Sequence, residues 1–168
     1  MNIYLVIYNI SKYNNVRSLL LTATAFGCHE VLMVGQHRNL QRGGMIPSSF
    51  EQAKQEGIIR LRHFSKWKEC LEYMREQSIL LIGVEIDDRS QILDEEYFVK
   101  NKELFQKNKN IAIFMGNEGQ GIHPKHLQEC QELVRIPQYG VGTASLNVNV
   151  AANIVLYRFH QWKQSLEH

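Results

Sequence analysis

Compact apolar runs alternate along this chain with longer segments whose apolar residues recur at helical spacing. Ile3–Ile7 is the first β-rich run. The polar stretch after it leads into a helix that continues to about Phe26, with Asn14 or Asn15 placed to cap it. Gly27 stands where a C′ glycine ends a helix. Glu30–Val34 is the next strand, followed by a polar loop from Gly35 to Ser48. Ser48 or Ser49 is placed to cap a short helix to Glu56. Ile58–His63 reads as a strand, and Ser65 as the cap of a helix over Lys66–Gln77, with Trp67, Leu71 and Met74 at helical spacing. Ile79–Ile86 is a continuous apolar strand interrupted by Gly83, the pattern of a sheet covered on both faces. Asp87–Asn110 is charged and irregular, with a short helix around Asp94–Phe105.

The C-terminal third holds two strand–glycine turn–helix units. Ile111–Met115 is a strand, followed by Gly116-Asn117-Glu118-Gly119-Gln120-Gly121 and a helix start with Pro124 in its first turn. Leu133–Ile136 is a second strand, stopped by Pro137. A loop with Gly140 and Gly142 then reaches Ser145-Leu146-Asn147, which opens a helix to Gln164. This alternation predicts an α/β fold, a parallel sheet with helices on both faces. The two units suggest neighbouring parallel strands whose carboxyl ends form one crevice, where open α/β sheets bind ligands. The last helix is apolar around most of its circumference, with only Asn149, Asn153 and His160 as a thin polar stripe. Such a helix is expected to be buried on nearly every side, as the centre of a larger layer or as a subunit interface.

Composition narrows the picture. At 168 residues, 44% hydrophobic, the chain has the size and apolar content of one domain. No run reaches the length of a membrane span, and no basic-then-apolar leader precedes Tyr4. Cys28, Cys70 and Cys130 are odd in number, far apart and without metal-ligand spacing; they read as reduced thiols of an intracellular, cytoplasmic protein, with no metal. A formal charge of +2 and a pI near 8.4 permit a polyanionic partner without requiring one. Local basic groups are His37, Arg38 and Arg42 in the first long loop, and Arg60 and Arg62, which share one side of a strand. They fit phosphate contacts or a solvated face. Leu166-Glu167-His168 reads as a remnant of an expression tag, leaving residues 1–165 as a single domain.

Candidate chemistry concentrates in the two glycine loops. Three glycines in the six residues Gly116–Gly121 let backbone approach a ligand closely. Glu118 argues against a phosphate there, since a carboxylate would repel it; a cationic sulfonium, or a hydroxyl needing an acceptor, suits it better. The alternative is a carboxylate that fixes the loop by accepting backbone N–H groups. Ser145 fits an N-cap. Asn147, placed beyond that cap, has no propensity reason to stand there and reads as functional. Ile136 and Leu146, taken alone, read as core.

IAIFMGNEGQGI and IPQYGVGTASLNVNVAA resemble the second and third signature motifs of the SPOUT-class RNA methyltransferases, in the TrmH/SpoU branch, and the resemblance runs from Tyr4 to Trp162. It implies a C-terminal trefoil knot in the sheet, S-adenosyl-L-methionine bound in that knot, and methylation of a ribose 2′-hydroxyl of tRNA or rRNA. It also implies a homodimer with active sites near the interface. Relatives often carry an RNA-binding extension, whereas this chain is expected to be a bare catalytic domain. By resemblance Met115, Gly116, Ile136, Pro137 and Leu146 hold the cofactor, with Ile136 and Leu146 sandwiching the adenine. Asn15, Glu118, Ser145 and Asn147 belong to the catalytic set. The first motif departs from the family's pattern of Asn, then Gly two residues on, then Arg four residues further. Asn15 matches, but Arg17 stands at the Gly and Leu21 at the Arg. Arg17 and Leu21 share one helical face, so Arg17 is expected to bring a guanidinium to the vacated place and join the catalytic set. Its other reading is a contact to RNA phosphate. Leu21 also motivates an alternative function, a protein that binds the cofactor and RNA without transferring the methyl group. A nucleotide-phosphate-binding α/β domain is the remaining reading.

Overall fold

Strands that are apolar on both faces have no side to give to water, and the chain stacks them in one parallel sheet. The structure, a computed structural model, describes residues 1–35, 46–117, 119–140 and 145–166. In chain order its elements are β1 (Asn2–Tyr8), α1 (Tyr13–Ala25), β2 (Glu30–Val34), α2 (Ser48–Gln55), β3 (Arg60–Phe64), α3 (Trp67–Glu76) and β4 (Ile79–Val84). Then come β5 (Gln91–Ile92), α4 (Glu95–Lys100), α5 (Lys102–Lys107), β6 (Asn110–Met115), α6 (Pro124–Leu127), β7 (Glu132–Arg135) and α7 (Val148–Ser165). The strand order is β3-β2-β1-β6-β4-β7-β5, and every pairing is parallel.

Side chains alternate across each strand, so the sheet divides the core into two layers. Ile3, Leu5 and Ile7 of β1, with Ile111 and Ile113 of β6, join Val16, Leu19 and Leu20 of α1 and Val155, Leu156 and Phe159 of α7. Tyr4, Val6, Ala112 and Phe114 face the other way, onto Trp67, Leu71 and Met74 of α3 and Leu127 of α6. Helices thus cover both faces, as the alternation predicts.

Several local expectations change. β6 and β7 are not neighbours, because β4 lies between them. Asn14 and Asn15 do not cap α1; Lys12 holds the cap position, and Asn15 is buried within the first turn. Lys66 rather than Ser65 holds the cap position of α3, and Pro47 rather than Ser48 or Ser49 that of α2. Glu69 Oε2 instead accepts from the Ser65 and Lys66 backbone N–H groups at 3.1 and 3.2 Å, and Ser48 opens α2 behind Pro47. The helix around Asp94–Phe105 is two short ones, the first capped by Asp94, which accepts from the Tyr97 N–H. The last helix opens at Val148, and Asn147 rather than Ser145 is its cap, accepting from the Asn149 and Val150 N–H groups at 2.9 and 3.3 Å. His37, Arg38, Arg42, Glu118 and Gly142 lie outside the described residues, as do the rest of residues 141–144 in the loop before Ser145.

The last helix is not buried all round. Val150 is 46% exposed, Ile154 36% and Tyr157 51%, and Leu21 on α1 is 40% exposed. Its polar stripe faces inward onto α1: the Thr22 hydroxyl donates to Asn149 Oδ1 at 2.9 Å and accepts from Asn153 Nδ2 at 3.2 Å. Arg62 is also less free than a surface cation. Its Nε donates to Glu30 Oε1 at 2.9 Å, the Tyr73 hydroxyl donates to Glu30 Oε2 at 2.7 Å, and the guanidinium lies 4.4 Å from the Tyr73 ring centre. Glu30 is 1% exposed, so Arg62 neutralises a buried carboxylate and is not free to track phosphate.

Cys28, Cys70 and Cys130 are free thiols, and burial pushes each up to about 12 from an ordinary 9.0. The native thiols keep their protons between those values, while the unfolded chain releases them. The stabilisation is therefore complete below pH 9 and is lost as pH rises toward about 12. The urea midpoint is expected to fall as the pH is raised above 9, with all three thiols inert to a thiol reagent in native protein at pH 8. Rapid labelling of Cys28 without unfolding would contradict this.

Candidate functional site

β4, β6 and β7 deliver their carboxyl ends to one place, because all three run in the same direction. A cavity of about 280 Å³ opens there, lined by Val84, Glu85 and Ile86 after β4, by Met115 and the turn after β6, and by Arg135, Ile136 and Gln138 after β7. Ser145, Leu146, Val148 and Ala151 close it from the start of α7. One crevice thus lies at the carboxyl ends of β6 and β7 as expected, although the interposed β4 supplies a third wall.

The turn is a closed loop of backbone. Asn117 and Gly121 exchange N–H···O bonds of 3.0 and 2.9 Å, and Asn117 Oδ1 accepts from the Gly119 N–H at 3.0 Å. A Cβ on Gly116 would lie 2.6 Å from Gly121 C and 2.7 Å from Ile122 N. Glycine is required because the chain doubles back on itself and its own backbone fills the place of a Cβ. Gly121 has φ +65°, and a Cβ there would strike the Glu85 carboxylate. Glu85 anchors the turn: its Oε2 accepts from the Ile122 N–H at 2.7 Å and its Oε1 from the Ile86 N–H at 3.0 Å. Asn117 Nδ2 ties the other side to the Asn9 carbonyl at 2.6 Å.

Of the residues singled out in the sequence, Met115, Gly116, Ile136, Ser145 and Leu146 meet around this cavity. Pro137 adjoins Ile136 without lining it. Asn15 and Asn147 meet each other, Asn147 Nδ2 donating to Asn15 Oδ1 at 3.2 Å, so Asn147 both caps α7 and clasps α1. Arg17 is half-buried on α1 and is not among the residues lining the cavity. Glu85 and Arg135 were not anticipated. An acid directly after a continuous apolar strand was the available signal for Glu85, since ligands gather where such strands end. Among the described residues no group of three or more His, Cys, Asp or Glu is placed to hold a metal ion, and no helix is long and apolar enough to cross a membrane.

A parallel seven-stranded sheet covered by helices on both faces, with a crevice at the carboxyl ends of its strands, defines an open α/β domain of the kind that binds its ligand there. The sequence model of the SpoU rRNA Methylase family matches residues 2–157, and the chain belongs to that family. It is 25% identical over 156 residues to the 23S rRNA (guanosine-2′-O-)-methyltransferase RlmB of Escherichia coli (strain K12), covering 91% of this chain and 57% of that protein. The chain spans about three fifths of the length of the curated relatives it matches. Among solved structures, the A. aeolicus TrmH/SpoU tRNA modifying enzyme superposes with a TM-score of 0.73 at 18% identity, covering 99% of this chain and 77% of that one. The SpoU methyltransferase AviRb from Streptomyces viridochromogenes, in complex with the cofactor AdoMet, gives 0.71 at 19% identity, with 98% of this chain and 58% of that one covered. These likenesses establish the fold.

Glu85 makes a prediction about the turn. Glu85→Ala leaves the buried Ile122 N–H without its acceptor and is expected to cost about 1–3 kcal/mol in urea unfolding, whereas Glu85→Gln, which keeps an acceptor oxygen, retains most of that stability. An unchanged midpoint in the alanine variant would remove Glu85 from its anchoring role.

Proposed function

We propose that the chain transfers the methyl group of S-adenosyl-L-methionine to a ribose 2′-hydroxyl of tRNA or rRNA. The observation that carries this is the cavity in which the Gly116 turn faces Ile136 and Leu146 across the carboxyl ends of three strands. The residues suit such a cofactor. Ile136 and Leu146 offer apolar surface to an adenine, Met115 and Gly116 offer close backbone, Pro137 fixes the chain beside Ile136, and Glu85 offers a carboxylate to a hydroxyl or a cation. S-adenosyl-L-methionine, when bound, supplies a methyl group already activated on a sulfonium.

What the chain must contribute is alignment and a destination for a proton. The attacking hydroxyl oxygen has to lie in line with the methyl carbon and the bond to sulfur. It gains the methyl as that bond breaks and S-adenosylhomocysteine leaves, and its proton passes to a carboxylate of the site, Glu118 in this reading, and on to water. Asn15 and Asn147, clasped together, hold the start of α1 against the start of α7. Ser145 stands on the cavity wall beside them. Glu118 completes the polar set in this reading. A guanidinium is a poor base at its ordinary pKa, so Arg17 serves by charge, orienting the ribose and its phosphate in place of the arginine that Leu21 lacks. The same reading carries the trefoil knot and the homodimer. The exposed apolar stripe of Leu21, Val150, Ile154 and Tyr157 on α1 and α7 supports a second copy as its cover.

Calorimetric titration with S-adenosylhomocysteine, paired with methyl transfer to total RNA and mapping of 2′-O-methylation, tests the reading. Cofactor binding without transfer would favour the alternative that Leu21 motivates, and no binding would overturn both. Arg17→Ala is expected to lower turnover by about a hundredfold or more with cofactor affinity unchanged, and Leu21→Arg in that background to restore part of it. Normal turnover with weaker, more salt-sensitive RNA binding would make Arg17 a phosphate contact. For assembly, the chain is expected to sediment as a dimer at micromolar concentration and Ile154→Asp to sediment as a monomer. A monomeric parent chain defeats the dimer.

A further inference from the structure

A second cavity, of about 500 Å³, lies against the same turn and shares Asn117, Gln120 and Gly121 with the first. Its remaining walls are Tyr8 and Asn9 at the carboxyl end of β1 and the segment His123–His126. The polar order here exceeds what the core needs. Glu129 Oε2 lies 3.1 Å from His126 Nδ1 and also accepts from the Trp67 indole N–H. With the carboxylate on that side, a neutral His126 carries its proton on Nδ1. Its Nε2 then accepts, and it faces the Tyr8 hydroxyl at 3.4 Å.

Tyr8 is held edge-on by Trp67, Phe114 and His126, with ring centres 5.5, 6.1 and 5.1 Å away. Its hydroxyl is thereby fixed at the cavity wall. His123 contributes an exposed flat ring, 5.8 Å from the His126 ring, and Lys125 an exposed cation. No carboxylate lines this cavity among the described residues.

We propose that this second cavity is a nucleobase subsite, taking one unpaired nucleotide of an RNA whose ribose is presented to the first cavity. The chemistry matches in each part. Unpaired bases are read by stacking on flat rings and by hydrogen bonds to their edges. His123 supplies the ring, Tyr8, Asn9 and Gln120 supply donors and acceptors, and Lys125 meets the phosphate. Because the turn is the partition between the two cavities, a nucleotide seated here lies beside whatever occupies the first. The Asn117 clamp on the Asn9 carbonyl fixes the spacing between them. The inference rests on the methyltransferase reading for the identity of the polymer, while its test requires no methyl transfer.

The test measures anisotropy of a fluorescein-labelled, mixed-sequence single-stranded oligoribonucleotide, with calorimetry of S-adenosylhomocysteine on the same proteins. His123→Ala with Lys125→Ala, both at exposed positions, is expected to weaken oligonucleotide binding about tenfold or more and to reduce its salt dependence, with cofactor affinity unchanged. Tyr8→Phe, which keeps the packed ring, is expected to weaken it as well. A 4-thiouridine oligonucleotide is expected to crosslink to Tyr8 or to the His123–His126 segment. Unaltered oligonucleotide affinity in these variants, crosslinks confined elsewhere, or a parent chain that does not bind the oligonucleotide would each overturn the subsite. Loss of S-adenosylhomocysteine binding alone would overturn the methyltransferase reading and leave the subsite standing.

Discussion

The constraint on which the rest of the site depends is the reversal of the chain after β6. Gly116 must lack a Cβ because the backbone of Gly121 and Ile122 returns within van der Waals distance of it. Three strands hold that reversal in place: β6 begins it, Glu85 after β4 accepts from its returning N–H, and the carbonyl of Asn9 after β1 receives its Asn117 amide. Neighbouring parallel strands therefore meet at their carboxyl ends through one small loop. Both cavities exist because that loop stands upright between them.

Much of this was legible in the sequence because burial on both faces leaves a plain mark. β1, β2, β4 and β6 are continuous apolar runs with little alternation, and only a sheet covered by helices on each side requires that. The glycine spacing after β6 was readable for a related reason, since a strand-to-helix reversal this tight admits no side chain at Gly116. Strand order was not readable in the same way. β6 and β7 follow each other in the chain, yet β4 intervenes, because adjacency in the sheet is decided by crossovers that no local pattern records.

Local rules misassigned residues whose partners are distant. Asn15 was placed as a cap because it begins an apolar helical run, but its amide oxygen is taken by Asn147, 132 residues away. Asn147 shows no capping reason in the sequence, yet it is the cap of α7, and it reaches Asn15 as well. Glu85 carries no spacing signature; a lone acid after a strand gains meaning only when the turn of β6 is brought beside it. Arg62 looked like a surface cation, and only the fold reveals the buried Glu30 on its inner side.

The Thr22–Asn149–Asn153 contact has a consequence for how α1 and α7 meet. Apolar side chains along a helix seam are nearly interchangeable, so packing alone permits the two helices to roll or slide against each other at small cost. A hydroxyl that donates to one amide and accepts from another permits neither. Asn153 also donates to the Asn149 carbonyl at 2.7 Å, which holds the amide aimed across the seam. The rotational setting of α7 about its own axis is thus fixed by a part-buried polar contact. That setting decides which residues of α7 look into the ligand crevice and which look outward.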